Sequence, residues 1–230
     1  SFNLNMKLPI RGELDVELMK SCLQELVDRH EALRTTFTPD GDAQRIHPEL
    51  ALDIPVIDLT HLPEEELNAE AKKLEIKEVK QPFDLVKGPL VRARILKLGD
   101  DRETVLFFVH HIVADGWSCG VLSRDLGRMY SARKKGEKPT LNPVMQLSEY
   151  VRYLRQEEQV AEQKASEEYW LQEYATIPPP LDLPTDRPRP AVKTFPANRT
   201  FFSIEPEVVE RWKASANRNG STLFAFTFAA

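Results

Sequence analysis

Two adjacent histidines open the segment His110-His111-Ile112-Val113-Ala114-Asp115-Gly116, which closes on an acid and a glycine. A neutral imidazole can take a proton from an attacking nucleophile or hold that nucleophile by a hydrogen bond, chemistry suited to acyl transfer. If strand geometry persists through the pair, successive side chains face opposite ways, so His110 and His111 cannot both point at one substrate. The other is expected to be structural. Asp115 is not assigned to a triad, because four residues along a loop it can equally pair with a cation elsewhere. Gly116 tolerates positive φ and close backbone approach to a substrate. The bland alternative is a strand that ends in two histidines, followed by an ordinary Asp-Gly turn. Cys119, eight residues past His111, raises a Cys/His nucleophile. That reading is disfavoured, since a reactive thiol is argued from a polarising environment and spacing supplies none.

The segment needs a rigid frame, and the flanking patterns predict one. Leu90 to Leu98 and Glu103 to Val109 read as strands joined by Gly99-Asp100-Asp101, a hairpin. Ser118 to Ala132 repeats apolar residues at helical spacing, which makes His110 to Trp117 a strand-to-helix loop. Upstream, Phe2 to Ile10 reads as an edge strand ending at Gly12, and 15–30 as a helix capped by Asp15. Strand character returns at 35–37, Asp40-Gly41-Asp42 is a turn, and 44–57 is extended but broken by Pro48 and Pro55. Leu62 to Val79 reads as helix, and 146–174 as one or two long charged helices. Seven prolines between 177 and 196 preclude regular structure and predict a semi-rigid linker. After it, 200–204 reads as a strand, 206–219 as a helix and 222–230 as an apolar helix. The expected organisation is a lobe over 1–176, a linker over 177–199, and the first elements of a second lobe over 200–230. The fold class is α/β: a mixed sheet with flanking helices in a layered sandwich.

Composition narrows the function. With 230 residues and 41% hydrophobic content the chain can bury a sizeable core. It lacks an apolar run of about 18 residues and a basic-then-apolar leader, so the cytoplasm is the expected location. Its net charge is −5 and its lysines and arginines are interspersed with acids, which argues against nucleic acid as partner. Cys22 and Cys119, far apart, are too few for a disulfide framework, and no metal site is expected.

The motifs in chain order carry a resemblance. HHxxxDG at 110–116, RHEALRTTF at 29–37, QLSEYVRY at 146–153 and LPTDRPRP at 183–190 together resemble the condensation domains of nonribosomal peptide synthetases. The resemblance implies two chloramphenicol-acetyltransferase-like lobes in a V, with the histidine loop at the floor of a tunnel between them. Upstream and downstream peptidyl carrier proteins would present donor and acceptor thioesters on 4'-phosphopantetheine arms, beside an adjacent adenylation domain. No cofactor would be bound directly. His111 would face donor thioester and acceptor amine, and Gly116 would form the catalytic wall. His110 would shape the loop, and Asp115 would be ion-paired with Arg34. Trp117 and Ser118 are candidate substrate-channel residues. His111 is expected to orient the amine and stabilise developing charge, with proton abstraction as the second option.

The family's first motif, expected before Phe2, and its second-lobe motifs are absent from these residues. The piece by itself is therefore expected to lack normal condensation activity. Epimerisation domains and stand-alone acyltransferases share HHxxxDG and remain rivals. A cyclising variant is disfavoured, because it is expected to carry Asp where this chain has His110. From another class, a catalytically silent module that docks partner proteins has no need of His111 and Asp115.

Overall fold

A computed structural model describes residues 2–99, 101–181, 184–192 and 200–229. Its first unit, Ser1–Ala175, is organised by a four-stranded mixed sheet in the order β1-β6-β5-β4. β1 (Asn3–Arg11) and β5 (Val91–Gly99) both pair antiparallel with β6 (Arg102–His110), and β4 (Val56–Asp58) runs parallel to β5. β1 is thus an edge strand, as its loose alternation predicted. A separate hairpin pairs β2 (Thr35–Phe37) with β3 (Gln44–Ile46).

Residue alternation on β6 decides which layer each side chain enters. Val105, Phe107 and Val109 point into a core shared with α1 (Val16–Arg29) and α3 (Gly116–Lys134). Leu106 and Phe108 point the other way, onto α2 (Glu64–Lys80), where they meet Leu67 and Ala71. Both faces are covered, so every residue from Thr104 to Val109 is buried. This explains why the strand reads as an unbroken apolar run and not as an alternating one.

Local chemistry sets the helix limits. Asp15 accepts from the Leu18 amide at 3.0 Å and starts α1. α1 buries Met19, Cys22, Leu23, Leu26 and Val27, one stripe at three- and four-residue spacing. Its end passes through a 3₁₀ turn, Glu31–Arg34, into β2. The segment before β5 lies close on β2: at Gly88, φ is +63°, and a Cβ there would sit 2.7 Å from Thr36 Cγ2. Only glycine fits that approach. The charged stretch 146–174 resolves into two helices, α4 (Leu147–Leu154) and α5 (Glu157–Glu173).

The second unit is Thr176–Ala230. It contains α6 (Pro206–Arg218) and α7 (Leu223–Ala229), which pack Trp212 against Phe226 with ring centroids 6.3 Å apart. The strand expected at 200–204 is not formed, since those residues have no ladder partner among the described residues. A strand exists only by pairing, and alternation alone does not supply the second edge. Residues 184–192 of the proline-rich stretch have no helix or strand. Positions 182–183 and 193–199 of the expected linker, and Asp100 of the expected hairpin turn, lie outside the described residues.

Candidate active site

His110 is the last residue of β6, paired with Asn3, and it continues the face of Leu106 and Phe108. It therefore turns toward the α2 layer, where its ring meets Phe83 edge-on with centroids 6.1 Å apart and planes at 86°. His110 Nδ1 accepts from the Ile112 amide at 3.1 Å, which leaves the proton on Nε2 in the neutral ring. Burial, and then the neighbouring His111, lower the His110 pKa and favour that neutral form. His111 follows on the exposed turn at 111–113, with its amide donating 2.7 Å to the Phe2 carbonyl. The side chain of His111 is exposed and free of that backbone bond.

Asp115 is the N-cap of α3: its Oδ1 accepts from the Ser118 amide and from Ser118 Oγ, each at 2.7 Å. Those donors, the amide first, hold its carboxyl below the usual carboxylate range. The expected ion pair with Arg34 is not formed. Arg34 sits in the 3₁₀ turn that leads into β2, which aims its guanidinium at nearby chain carbonyls. It donates to those of His47, Pro48 and Asp28. Arg34 thus braces the turn and the β2–β3 hairpin, away from Asp115.

A carboxylate on α3 does meet the 29–37 motif, but it is Asp125. Arg29 Nε donates to Asp125 Oδ2 at 3.1 Å, and His30 Nε2 lies 3.4 Å from the same oxygen. Gln146, the first residue of the third motif, clamps this corner. Its side-chain amide donates to the Arg29 carbonyl at 2.9 Å, and its Oε1 accepts from the Glu31 amide at 3.0 Å. Ser148 adds a hydrogen bond from its backbone N–H to Glu31 Oε2 at 3.1 Å. Two motifs separated by more than a hundred residues are therefore one structural joint. Asp125 was visible only as a polar position within an apolar helical repeat.

The remaining candidates surround the loop. Gly116 has a helical backbone at the first position of α3, with no positive φ, and an added Cβ would meet nothing within 4 Å. The fold does not require glycine there, contrary to the conformational argument. Trp117 is 84% exposed. Trp117 and Ser118 line an open apolar cavity of about 260 Å³, together with His30, Leu33, Val113 and Val121. His111 is not part of that lining. Cys119 packs partly into the core, where burial and then Asp115 raise its pKa; its thiol is disfavoured as a nucleophile.

Asp115→Ala removes the acceptor for two donors and should lower the thermal midpoint by a few degrees. Asp115→Asn keeps an acceptor and should leave it nearly unchanged. Calorimetry on both variants checks this, and a collapse of the Asn variant would restore an essential charge pair at Asp115.

Among the described residues no cluster of ligating side chains could hold a metal ion, and no helix is long and apolar enough to cross a membrane. A family model described as a condensation domain matches residues 1–230. One of the linear gramicidin synthase proteins of Brevibacillus parabrevis is 39% identical over 235 residues, covering 100% of this chain and 5% of that protein. The chondramide synthase of Chondromyces crocatus is 34% identical over 227 residues, with 97% and 6% coverage. The chain thus spans a small fraction of these relatives. Among solved structures, the teicoplanin X-domain in complex with OxyB superposes with a TM-score of 0.74 at 27% identity, covering 96% of this chain and 49% of that one. The starter condensation domain of rhizomide synthetase RzmA gives 0.69 at 26% identity, over 78% and 43%.

Proposed function

The chain belongs to the condensation-domain family, and we propose that it carries the histidine loop of an amide-forming site in a peptide synthetase. The observation that supports this most is the divergence of the two histidines. His110 is turned into the α2 layer and committed to Ile112, whereas His111 stands exposed on the turn with its ring available.

In the proposed reaction the acceptor amine nitrogen attacks the carbonyl carbon of the donor thioester. The tetrahedral adduct expels sulfur: a C–N bond forms, the C–S bond breaks, and the amine proton goes to the departing thiolate. His111 holds the amine by hydrogen bonding and relays that proton. An α-amine with a pKa of about 7.7 to 8.0 is partly neutral at physiological pH, so orientation contributes more than basicity. Trp117 and Ser118 face the approaching substrate, and Asp115 fixes the start of α3 behind the loop. Donor and acceptor arrive on phosphopantetheine arms of partner carrier proteins in the cytoplasm, beside an adenylation domain. Residues 1–176 form the N-terminal lobe, 177–199 the connection, and 200–230 the opening of the second lobe.

The test uses the whole protein with one carrier bearing an acyl or peptidyl thioester and another bearing an aminoacyl thioester. A new amide on the acceptor arm, detected by intact mass, supports the reading. An inverted donor without a new amide would indicate epimerisation. Transfer only from a free soluble thioester would indicate a stand-alone acyltransferase, and no chemistry at all a docking module.

A further inference from the structure

The face of β5 opposite the α1/α3 core carries two arginines where the sheet would be expected to present apolar residues to α2. Arg92 and Arg94 both reach Glu78 on α2: Arg92 Nε lies 3.2 Å from Glu78 Oε2, and Arg94 Nη2 lies 3.1 Å from Glu78 Oε1. Arg92 does more. Its Nη2 donates to the carbonyls of Glu78 at 3.0 Å and Gln81 at 2.8 Å, at the C-terminal end of α2. Helix ends leave such carbonyls unpaired and carry partial negative charge, so a guanidinium is well placed there. Asn3, the strand neighbour of His110, completes the cap by donating to the Val79 carbonyl at 2.9 Å and the Gln81 carbonyl at 2.7 Å.

The same guanidinium carbon lies 3.8 Å from the centre of the Phe83 ring, a cation–π contact. Phe83 then presents its ring edge-on to His110, and His110 Nδ1 accepts from the Ile112 amide. A planar fork locks a ring, the ring seats an imidazole, and the imidazole holds the backbone turn that carries His111. Among the described residues, His111 on the turn itself is the titratable group that acts on His110, and Arg92 of β5 lies over the Phe83 ring that His110 meets.

We infer that Phe83 and Arg92 are positioning residues for amide formation, acting through His110 and the Ile112 amide to orient His111. The inference rests on the amide-forming reading of His111, and its test has one arm that does not use that reaction. In the whole protein, Phe83→Leu keeps an apolar side chain but removes the ring. Activity per folded molecule should fall about tenfold to a hundredfold in kcat, with the KM for carrier-bound acceptor unchanged. Independently, labelling with diethyl pyrocarbonate and peptide mass mapping should find His110 modified several-fold faster, since its seat has opened. Phe83→Tyr, which retains the ring, should restore both readouts. If Phe83→Leu does not fold, Arg92→Lys removes the planar fork while keeping the charge and should shift both in the same direction. A wild-type kcat in the folded Leu or Lys variant, or an unchanged His110 labelling rate, overturns the inference. An inactive wild-type protein whose His110 labelling still responds to Phe83→Leu would refute the reaction and leave the packing relay standing.

Discussion

His111→Ala in the whole protein should reduce amide formation by about 10²- to 10⁴-fold, the range expected when one positioned acid–base or hydrogen-bonding group is removed. The thermal midpoint should hardly move, because the imidazole is exposed and the residue is tied to the fold through the hydrogen bond its backbone N–H donates to the Phe2 carbonyl, which alanine keeps. This separation of activity from stability distinguishes a chemical group from a structural one. His110→Ala should behave differently: it removes the acceptor for the Ile112 amide and the partner of Phe83, so stability and rate fall together. Rates come from single-turnover mass measurements on loaded carriers, and midpoints from calorimetry. A His111→Ala variant that forms amide at the wild-type rate would show that the amine attacks unaided, and the catalytic assignment would fail.

Asp125→Asn should be the most destabilising polar substitution in the first unit, at about 3 to 5 kcal/mol, the cost typical of removing one partner from a buried ion pair. Asp125 is 5% exposed, and the side chains of Arg29 and His30 are only 21% and 12% exposed, so solvent compensates poorly for the lost charge. His30 adds a pH dependence. Burial pushes its pKa down and Arg29 pushes the same way, while Asp125 pulls it up. In the unfolded chain His30 takes a proton near its ordinary value of about 6.5, before the folded state does. The unfolded state then binds more protons, so stability is present in full above about pH 6.5 and declines as the pH falls through that value toward the lower folded one. Removing Asp125 deletes the raising influence and widens that window, so the acid-dependent loss should be larger in the variant. Urea unfolding of both proteins at pH 7.5 and pH 5.5 measures each part. A loss below about 1 kcal/mol at pH 7.5 would mean that Asp125 is not the anchor of this joint.

Features that depend on near neighbours are legible in the residues alone. The apolar stripe of α1, its Asp15 cap, the β5–β6 hairpin and the strand-to-helix placement of residues 110–117 follow from periodicity and local hydrogen bonding, which act over a few residues. The turn of His110 toward the α2 layer is legible for the same reason, since it closes a strand whose side chains alternate; His111 lies past the strand end, and its exposure is set by the turn at 111–113. The helix start at Gly116, two residues earlier than the apolar repeat suggested, already depends on the cap that Asp115 makes.

What each charge meets is settled by the packed fold. Arg34 and Asp115 are both part of recognisable motifs, yet the 3₁₀ turn aims one at the His47 and Pro48 carbonyls and the cap engages the other with Ser118. Arg29 finds Asp125 across 96 positions because α1 and α3 pack side by side on one face of the sheet. Gln146 reaches the Arg29 and Glu31 backbone only because the chain returns there after α3. Such partners are chosen by which surfaces the hydrophobic core brings together. Charge attraction is nearly indifferent to sequence distance, so a motif can name the residues that matter while the packed layers determine their partners.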